Sequence, residues 1–212
     1  YLRQSVEILT VAALDGVKKV TLPDRSTVWL NKGAAIRYAD HFDGDERKVE
    51  LEGEALFHVT KNPEKPFIVS SEGAAAKVLG TTFNFNAKGR GKASVISLIE
   101  GRLEVTGLDG QGKVVLHPNQ KATVSRDLKV IKTENTYAPV DAVWRDNMIP
   151  FSNMRVREIA RILEQLYGCR ITVAPRLDNG KTYTGVIKKS KDIRNVLDGL
   201  SYTVSFHYTV DG

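Results

Sequence analysis

From Val6 to about Lys132 apolar and polar residues alternate in short runs separated by turn signals. The runs are Val17 to Leu22, Thr27 to Leu30, Lys48 to Leu51, Ala55 to Val59, Phe67 to Val69, Ala76 to Leu79, Thr82 to Phe85, Ala93 to Ile99, Leu103 to Thr106, Lys113 to Leu116, Lys121 to Val124 and Leu128 to Ile131. A period of two is what a half-buried strand needs, because successive side chains point to opposite faces. Pro23-Asp24, Gly44-Asp45, Gly53, Asn62-Pro63, Gly80, Gly101, Asp109-Gly110, Pro118-Asn119 and Arg126-Asp127 punctuate them. Strands at this spacing predict an all-β sandwich, barrel or stacked β-coil. A helical period competes only weakly, over Ala34 to Tyr38, until residue 152.

The grammar then changes. Val156, Ile159, Ala160, Leu163, Leu166 and Tyr167 recur at helical spacing and predict an amphipathic helix over 153–167. Ser152 or Asn153 is the expected cap and Gly168 the left-handed stop. Pro150 and Phe151 close an extended run at about 148–151, and strands are expected at 170–174 and 182–187. A second helix is expected over 191–201, with the stripe Ile193, Val196, Leu197 and Leu200, Ser190 as cap and Asp192 on the helix dipole. A last strand, Val204 to Val210, completes a β-α-β-β-α-β order with both helices on one sheet face. Residues 133–142 are polar, contain Pro139 and read as a linker. The expected domains are therefore an all-β domain over 1–136 (sandwich or stacked β-coil) and a small α/β domain over 137–212.

Charge changes little in this picture. The net charge is +6, with 20 Lys+Arg against 17 Asp+Glu in residues 1–136 and 11 against 8 in residues 137–212. The excess is spread evenly, so no nucleic-acid partner is expected. The tightest basic group, Lys188, Lys189, Lys191 and Arg194, reads as the solvated start of a helix. Cys169 is the sole cysteine, which excludes an internal disulfide, and its place before an apolar strand suggests a buried thiol. No run reaches the ~18 apolar residues of a membrane helix, and the abrupt start at Tyr1 suggests a fragment of a longer protein.

A search for chemistry finds little. Glu50, Glu52 and Glu54 point one way along a strand and read as a solvated face. His41, His58, His117 and His207 are scattered, with no metal-ligand spacing. Gly89-Arg90-Gly91 lacks the context of a phosphate loop and reads as a hairpin tip. No catalytic residue, metal site or cofactor is expected, and the chain reads as a non-enzyme. Sheet edges remain, and strand addition is their simplest mode of recognition. Tyr183, Val186, Val204, Phe206 and Tyr208 are the candidate partner-binding residues, on the strands Thr182 to Ile187 and Val204 to Val210.

Several runs together carry a resemblance. They are Val20 to Asn31 (VTLPDRSTVWLN), Arg47 to Phe57 (RKVELEGEALF), Lys65 to Val69 (KPFIV), Val78 to Asn84 (VLGTTFN), Leu98 to Val105 (LIEGRLEV), Leu116 to Gln120 (LHPNQ), Trp144 to Phe151 (WRDNMIPF) and Leu163 to Gly168. In this order they resemble the periplasmic part of FecR-family anti-sigma regulators of the Bacteroidota type. Arg25, Asn119 and Asn147 depart from it, standing at turn positions where the family pattern usually has Gly.

The resemblance implies a carboxy-terminal domain like the secretin-and-TonB amino-terminal domain. It implies a periplasmic receiver on a single-pass inner-membrane protein. Its partners would be the signalling domain of a TonB-dependent outer-membrane transducer and, through a cytoplasmic segment absent from this chain along with the membrane anchor, an extracytoplasmic-function sigma factor. Two other classes remain. One is a β-rich carbohydrate-binding module using Trp29 and Trp144, although both are expected in the core. The other is a hydrolase, which would need Glu100 or Glu104 beside a histidine.

Overall fold

In the computed structural model the described residues are 6–87, 93–107, 112–125 and 130–210. The expected turns at Asp109-Gly110 and Arg126-Asp127, the start of the run at Leu128 and the Gly89-Arg90-Gly91 tip lie outside them. Contacts divide the chain into two compact units, Tyr1–Ala142 and Val143–Gly212.

The first unit is all β. Its strands are β1 (Ile8–Ala12), β2 (Lys18–Thr21), β3 (Thr27–Leu30), β4 (Ala35–Ala39), β5 (Arg47–His58), β6 (Phe67–Ser70), β7 (Ala74–Val78), β8 (Thr82–Ala87), β9 (Ser94–Glu100), β10 (Leu103–Gly107), β11 (Lys113–Leu116), β12 (Gln120–Ser125) and β13 (Val130–Asn135). The weak helical trace over Ala34 to Tyr38 is overruled: β4 pairs with β1 on one side and β5 on the other. The runs at 48–51 and 55–59 are one continuous strand, β5, which belongs to two half-sheets. Its first half joins β4 and, in parallel, β6; its second half joins β3 and β8. The half-sheets run β1-β4-β5-β6-β7-β10-β11 and β2-β3-β5-β8-β9-β12-β13.

Gly53 is where β5 passes from one to the other. Its φ is +84°, and a Cβ there would lie 2.8 Å from Ala34 Cα. Glycine alone tolerates both the dihedral and the approach. Between the half-sheets lies a continuous core. Phe57 stacks on Phe83 at 5.0 Å between ring centroids and meets Phe67 edge-on at 6.3 Å. Such pairs contribute about 0.5–1.5 kcal/mol beyond the area they bury.

Residues 133–142 are not a linker. Asn119, at φ +63°, accepts the Thr136 N–H on its carbonyl and the Ala138 N–H on its side chain. Ser97 Oγ donates to Asp141, and Ala138 and Val140 are buried. A left-handed turn residue thus holds a polar sequence onto the β unit.

The second unit is small and α/β. β14 (Met148–Arg155) pairs antiparallel with β15 (Thr182–Lys188); α1 (Val156–Tyr167) packs on β14 and α2 (Ile193–Val204) on β15. The expected class, an all-β domain followed by a small α/β domain, is observed. Details differ. Ser152 and Asn153 do not cap α1, because β14 continues through a bulge there, with Asn153 at φ +52°. Arg155 stands at the N-cap, and Glu158 accepts its backbone N–H at 2.7 Å. Gly168 closes α1 at φ +63°, as expected. Asp192, not Ser190, caps α2 by accepting the Arg194 N–H at 2.9 Å.

Residues 170–174 and 205–210 form no ladder. Val204 lies in α2 because Val196, Leu200 and Val204 continue one helical stripe past the expected end. Ser205, at φ +53°, then stops the helix. Without a strand at 170–174 there is no face to cover Cys169, which is exposed.

Candidate partner-docking site

The small sheet has two edges, and they differ. Along β14, Pro150 stands opposite Val186, Ile149 opposite Ile187 and Phe151 opposite Gly185. Antiparallel pairs alternate between those that exchange both backbone hydrogen bonds and those that exchange none. Proline has no N–H, so it is accommodated where its nitrogen faces away from the neighbouring strand. That sets Ile149–Ile187 and Phe151–Gly185 as the bonded pairs. On β15, the N–H and C=O groups of Thr184, Val186 and Lys188 then point outward. Pro150 and the bulge at 152–153 interrupt the outer edge of β14. Nothing interrupts β15.

Side chains divide by face. Tyr183, Gly185 and Ile187 are half-buried toward the helices; Thr182, Thr184, Val186 and Lys188 are exposed, Val186 at 56%. A groove of about 260 Å³ runs beside β15, lined by Thr184 to Lys188, Phe151 beneath, and Gly199 and Thr203 of α2. Phe151 reaches it because Gly185 carries no side chain; a Cβ there would come within 3.1 Å of the Phe151 ring.

The loop between β15 and α2 is held from α1. Tyr167 Oη donates to the Ser190 carbonyl at 2.7 Å and accepts the Ser190 N–H at 3.3 Å. Burial pushes the Tyr167 phenol up. Midway along α2, Tyr208 Oη donates to Asp198 Oδ1 at 2.6 Å, which raises its pKa because ionisation would break the bond. Asp192 is pulled down by the hydrogen bond from the Arg194 side chain.

The five candidate residues are only partly brought together. Val186 lines the groove; Tyr183, on the helix-facing side of β15 with Gly185 and Ile187, does not. Val204 is the last residue of α2, beside the lining residue Thr203. Phe206 and Tyr208 contact each other at 6.4 Å between centroids, and Tyr208 is tied to α2. Sequence reasoning missed Pro150, Phe151, Gly199 and Thr203. The proline within a strand was the available signal, since it marks an edge.

The other chemical features resolve differently from expectation. Glu54 is not solvated with Glu50 and Glu52: past the Gly53 bend it accepts from Asn31 Nδ2 and Asn84 Nδ2, each at 2.9 Å. His41 does have carboxylates nearby, with Nδ1 2.6 Å from Asp40 and Nε2 2.9 Å from Asp43. Among the described residues no group of three or more His, Cys, Asp or Glu could hold a metal ion. His58 and Glu100 stand in one row across β5, β8 and β9 with Thr82 between them, so they are about 10 Å apart by strand spacing. Trp29 and Trp144 are half-buried rather than in the core; Trp29 faces outward under the Lys19 ammonium, 5.6 Å from its ring centroid. No helix of the described residues is long and apolar enough to cross a membrane.

Comparison with known proteins adds the relatives. Residues 10–104 match the family described as FecR protein, and residues 148–212 match FecR, C-terminal. Two crystal structures from Parabacteroides distasonis ATCC 8503, at 2.50 and 1.65 Å and described as an anti-sigma factor, are each 29% identical. The first covers 97% of this chain and 95% of its own with a TM-score of 0.64. The second covers 96% and 95% with a TM-score of 0.63. No curated protein matches. Two blocks of one family, in order and together spanning both units, carry the assignment: the chain belongs to the FecR family of anti-sigma factors.

Proposed function

We propose that residues 143–212 receive a partner protein by strand addition along the outer edge of β15, and that this chain is the signal-receiving part of a transmembrane anti-sigma regulator. The observation that carries the docking is the asymmetry of the small sheet. Pro150 and the bulge spoil one edge, while the other offers an unbroken row of backbone groups beside a groove. Strand addition draws its affinity from such a row and its specificity from side-chain pockets next to it.

Family membership supplies the rest of the reading. The partner is the signalling domain of a TonB-dependent outer-membrane transducer. Docking occurs in the periplasm, on a protein anchored once in the inner membrane. The response passes to an extracytoplasmic-function sigma factor held by a cytoplasmic segment. Transmission requires that the transducer bind differently in its liganded and free states, since equal affinity for two states shifts neither. Val186 contacts the added strand; Val204, Phe206 and Tyr208 flank it at the end of α2; Tyr183 supports β15 from the inner face.

Calorimetry with the signalling domain of the transducer encoded beside this protein tests the proposal. Val186→Pro removes an outward N–H without touching the β14 ladder, and Val186→Ala keeps it. Binding by wild type and Val186→Ala, lost in Val186→Pro with unchanged circular dichroism, is the expected result. Equal binding by all three overturns the docking edge.

A further inference from the structure

We infer that β1 pairs with β1 of a second copy of this chain, in an antiparallel two-fold ladder centred on Thr10. Four strands end the two half-sheets of the β unit: β1 and β11, β2 and β13. Open edges are ordinarily kept from pairing by charge. β2 carries Lys18 and Lys19, β11 opens on Lys113, and β13 carries Lys132 and Glu134. β1 (ILTVA) carries none, and three of its five residues are β-branched. Ile8 is 56% exposed at the start of it, and Leu9 and Val11 pack against the core from the other face.

The register follows from self-complementarity. A two-fold axis at Thr10 sets Thr10 against Thr10, Leu9 against Val11 and Ile8 against Ala12 of the other copy. The half-buried row of Leu9 and Val11 is thereby continued across the junction, and no like charges are opposed within it. At each end the charges are opposite. Lys18 Nζ donates to the Ala12 carbonyl at 3.3 Å, which places an ammonium at the end of β1 and leaves that oxygen one lone pair for the Ile8 N–H of the second copy. Glu7 precedes the strand, its backbone N–H and carbonyl both engaged with Asp40 on the β4 side. In the Thr10-centred ladder Glu7 falls opposite Ala13 of the second copy, beside that copy's Lys18. The operation repeats the pair at the other end, so one patch used twice satisfies itself, as an isologous interface requires.

Sedimentation equilibrium on the chain tests this. Wild type is expected to dimerise. Thr10→Lys and Thr10→Glu, both at an exposed position, are each expected to run as monomers with unchanged circular dichroism. An equimolar mixture of the two is expected to recover the dimer, because opposite charges then face each other on the axis. A wild type that stays monomeric at its highest soluble concentration overturns the inference. So does a dimer that Thr10→Lys leaves intact, or a mixture that stays monomeric.

Discussion

Arg47 Nη1 donates to Asp24 Oδ2 at 2.6 Å, joining β5 to the turn before β3. The arginine is 2% exposed. Nη1 also donates to the Thr60 carbonyl at 2.9 Å and Nε to the Lys65 carbonyl at 2.8 Å, whereas Nη2 is buried with no hydrogen-bond partner among the described residues; the guanidinium lies 5.3 Å from the Phe67 ring centroid. Asp24 also accepts from Ser26 N–H and Ser26 Oγ, while Ser26 Oγ accepts the Thr60 N–H. This cluster therefore ties the start of β5 to two loops, 22–26 and 59–66, at the end of the core.

Removing one member of a buried pair leaves the other charge uncompensated, at a cost of about 3–5 kcal/mol. Arg47→Ala is expected to destabilise the protein by that amount. Arg47→Ala with Asp24→Ala is expected to lose much less than Arg47→Ala and Asp24→Ala summed. Chemical denaturation of the four proteins measures the coupling, and additive losses would dissolve the network argument.

Gly53→Ala is expected to cost about 2–5 kcal/mol, from left-handed strain and overpacking together. The added methyl meets Ala34 backbone, which has no flexible end to swing aside. A thermal midpoint within a degree of wild type would show that the β5 bend is looser than described.

Arg25, Asn119 and Asn147 adopt φ values of +68°, +63° and +58°. These are the positions at which the family pattern usually has Gly, and each does take the left-handed conformation. Arg25 bears the largest cost, since asparagine tolerates this region better than a long side chain does. Arg25→Gly is expected to stabilise by up to about 1 kcal/mol, the relief of strain being partly offset by the greater freedom of glycine in the unfolded chain. Differential scanning calorimetry reads the sign, and a lowered midpoint refutes the assignment of strain.

Asp192 titrates below its ordinary value because Arg194 hydrogen-bonds its ionised form. A depressed folded pKa means the cap is fully present above the unfolded value of about 3.9 and is lost as pH falls through the folded value. Amide exchange at Arg194 is expected to accelerate as pH drops below about 4 relative to intrinsic rates. In Asp192→Asn, which caps without ionising, that acceleration should vanish. An unchanged profile in the variant would place the acid step elsewhere.

The sequence carried the ladders where burial alternates cleanly, as at Thr27 to Leu30, Phe67 to Val69 and Thr182 to Ile187. It misread the places where a nonlocal partner decides. Residues 133–142 are polar, yet Asn119 and Ser97 hold them down from distant strands. Val204 to Val210 has the composition of a strand, but its first residue completes a stripe begun at Val196. Pro150 was legible as punctuation; its role as an edge marker needed the register with Val186. The alternation at Trp29 is genuine, but its phase puts Val28 and Leu30 inside and leaves the indole out.

β5 gives this chain an order of events during synthesis. Before residue 47 leaves the ribosome, only the β2–β3 hairpin and the β1–β4 pair have both members available. Neither can find its place in a half-sheet until β5 emerges and offers both. After that point, β6 and β8 add as each is completed. A pause or truncation shortly before residue 47 therefore strands the first forty residues as two unsupported ribbons. The same interruption after residue 87 leaves a nucleus on which both halves have begun to grow.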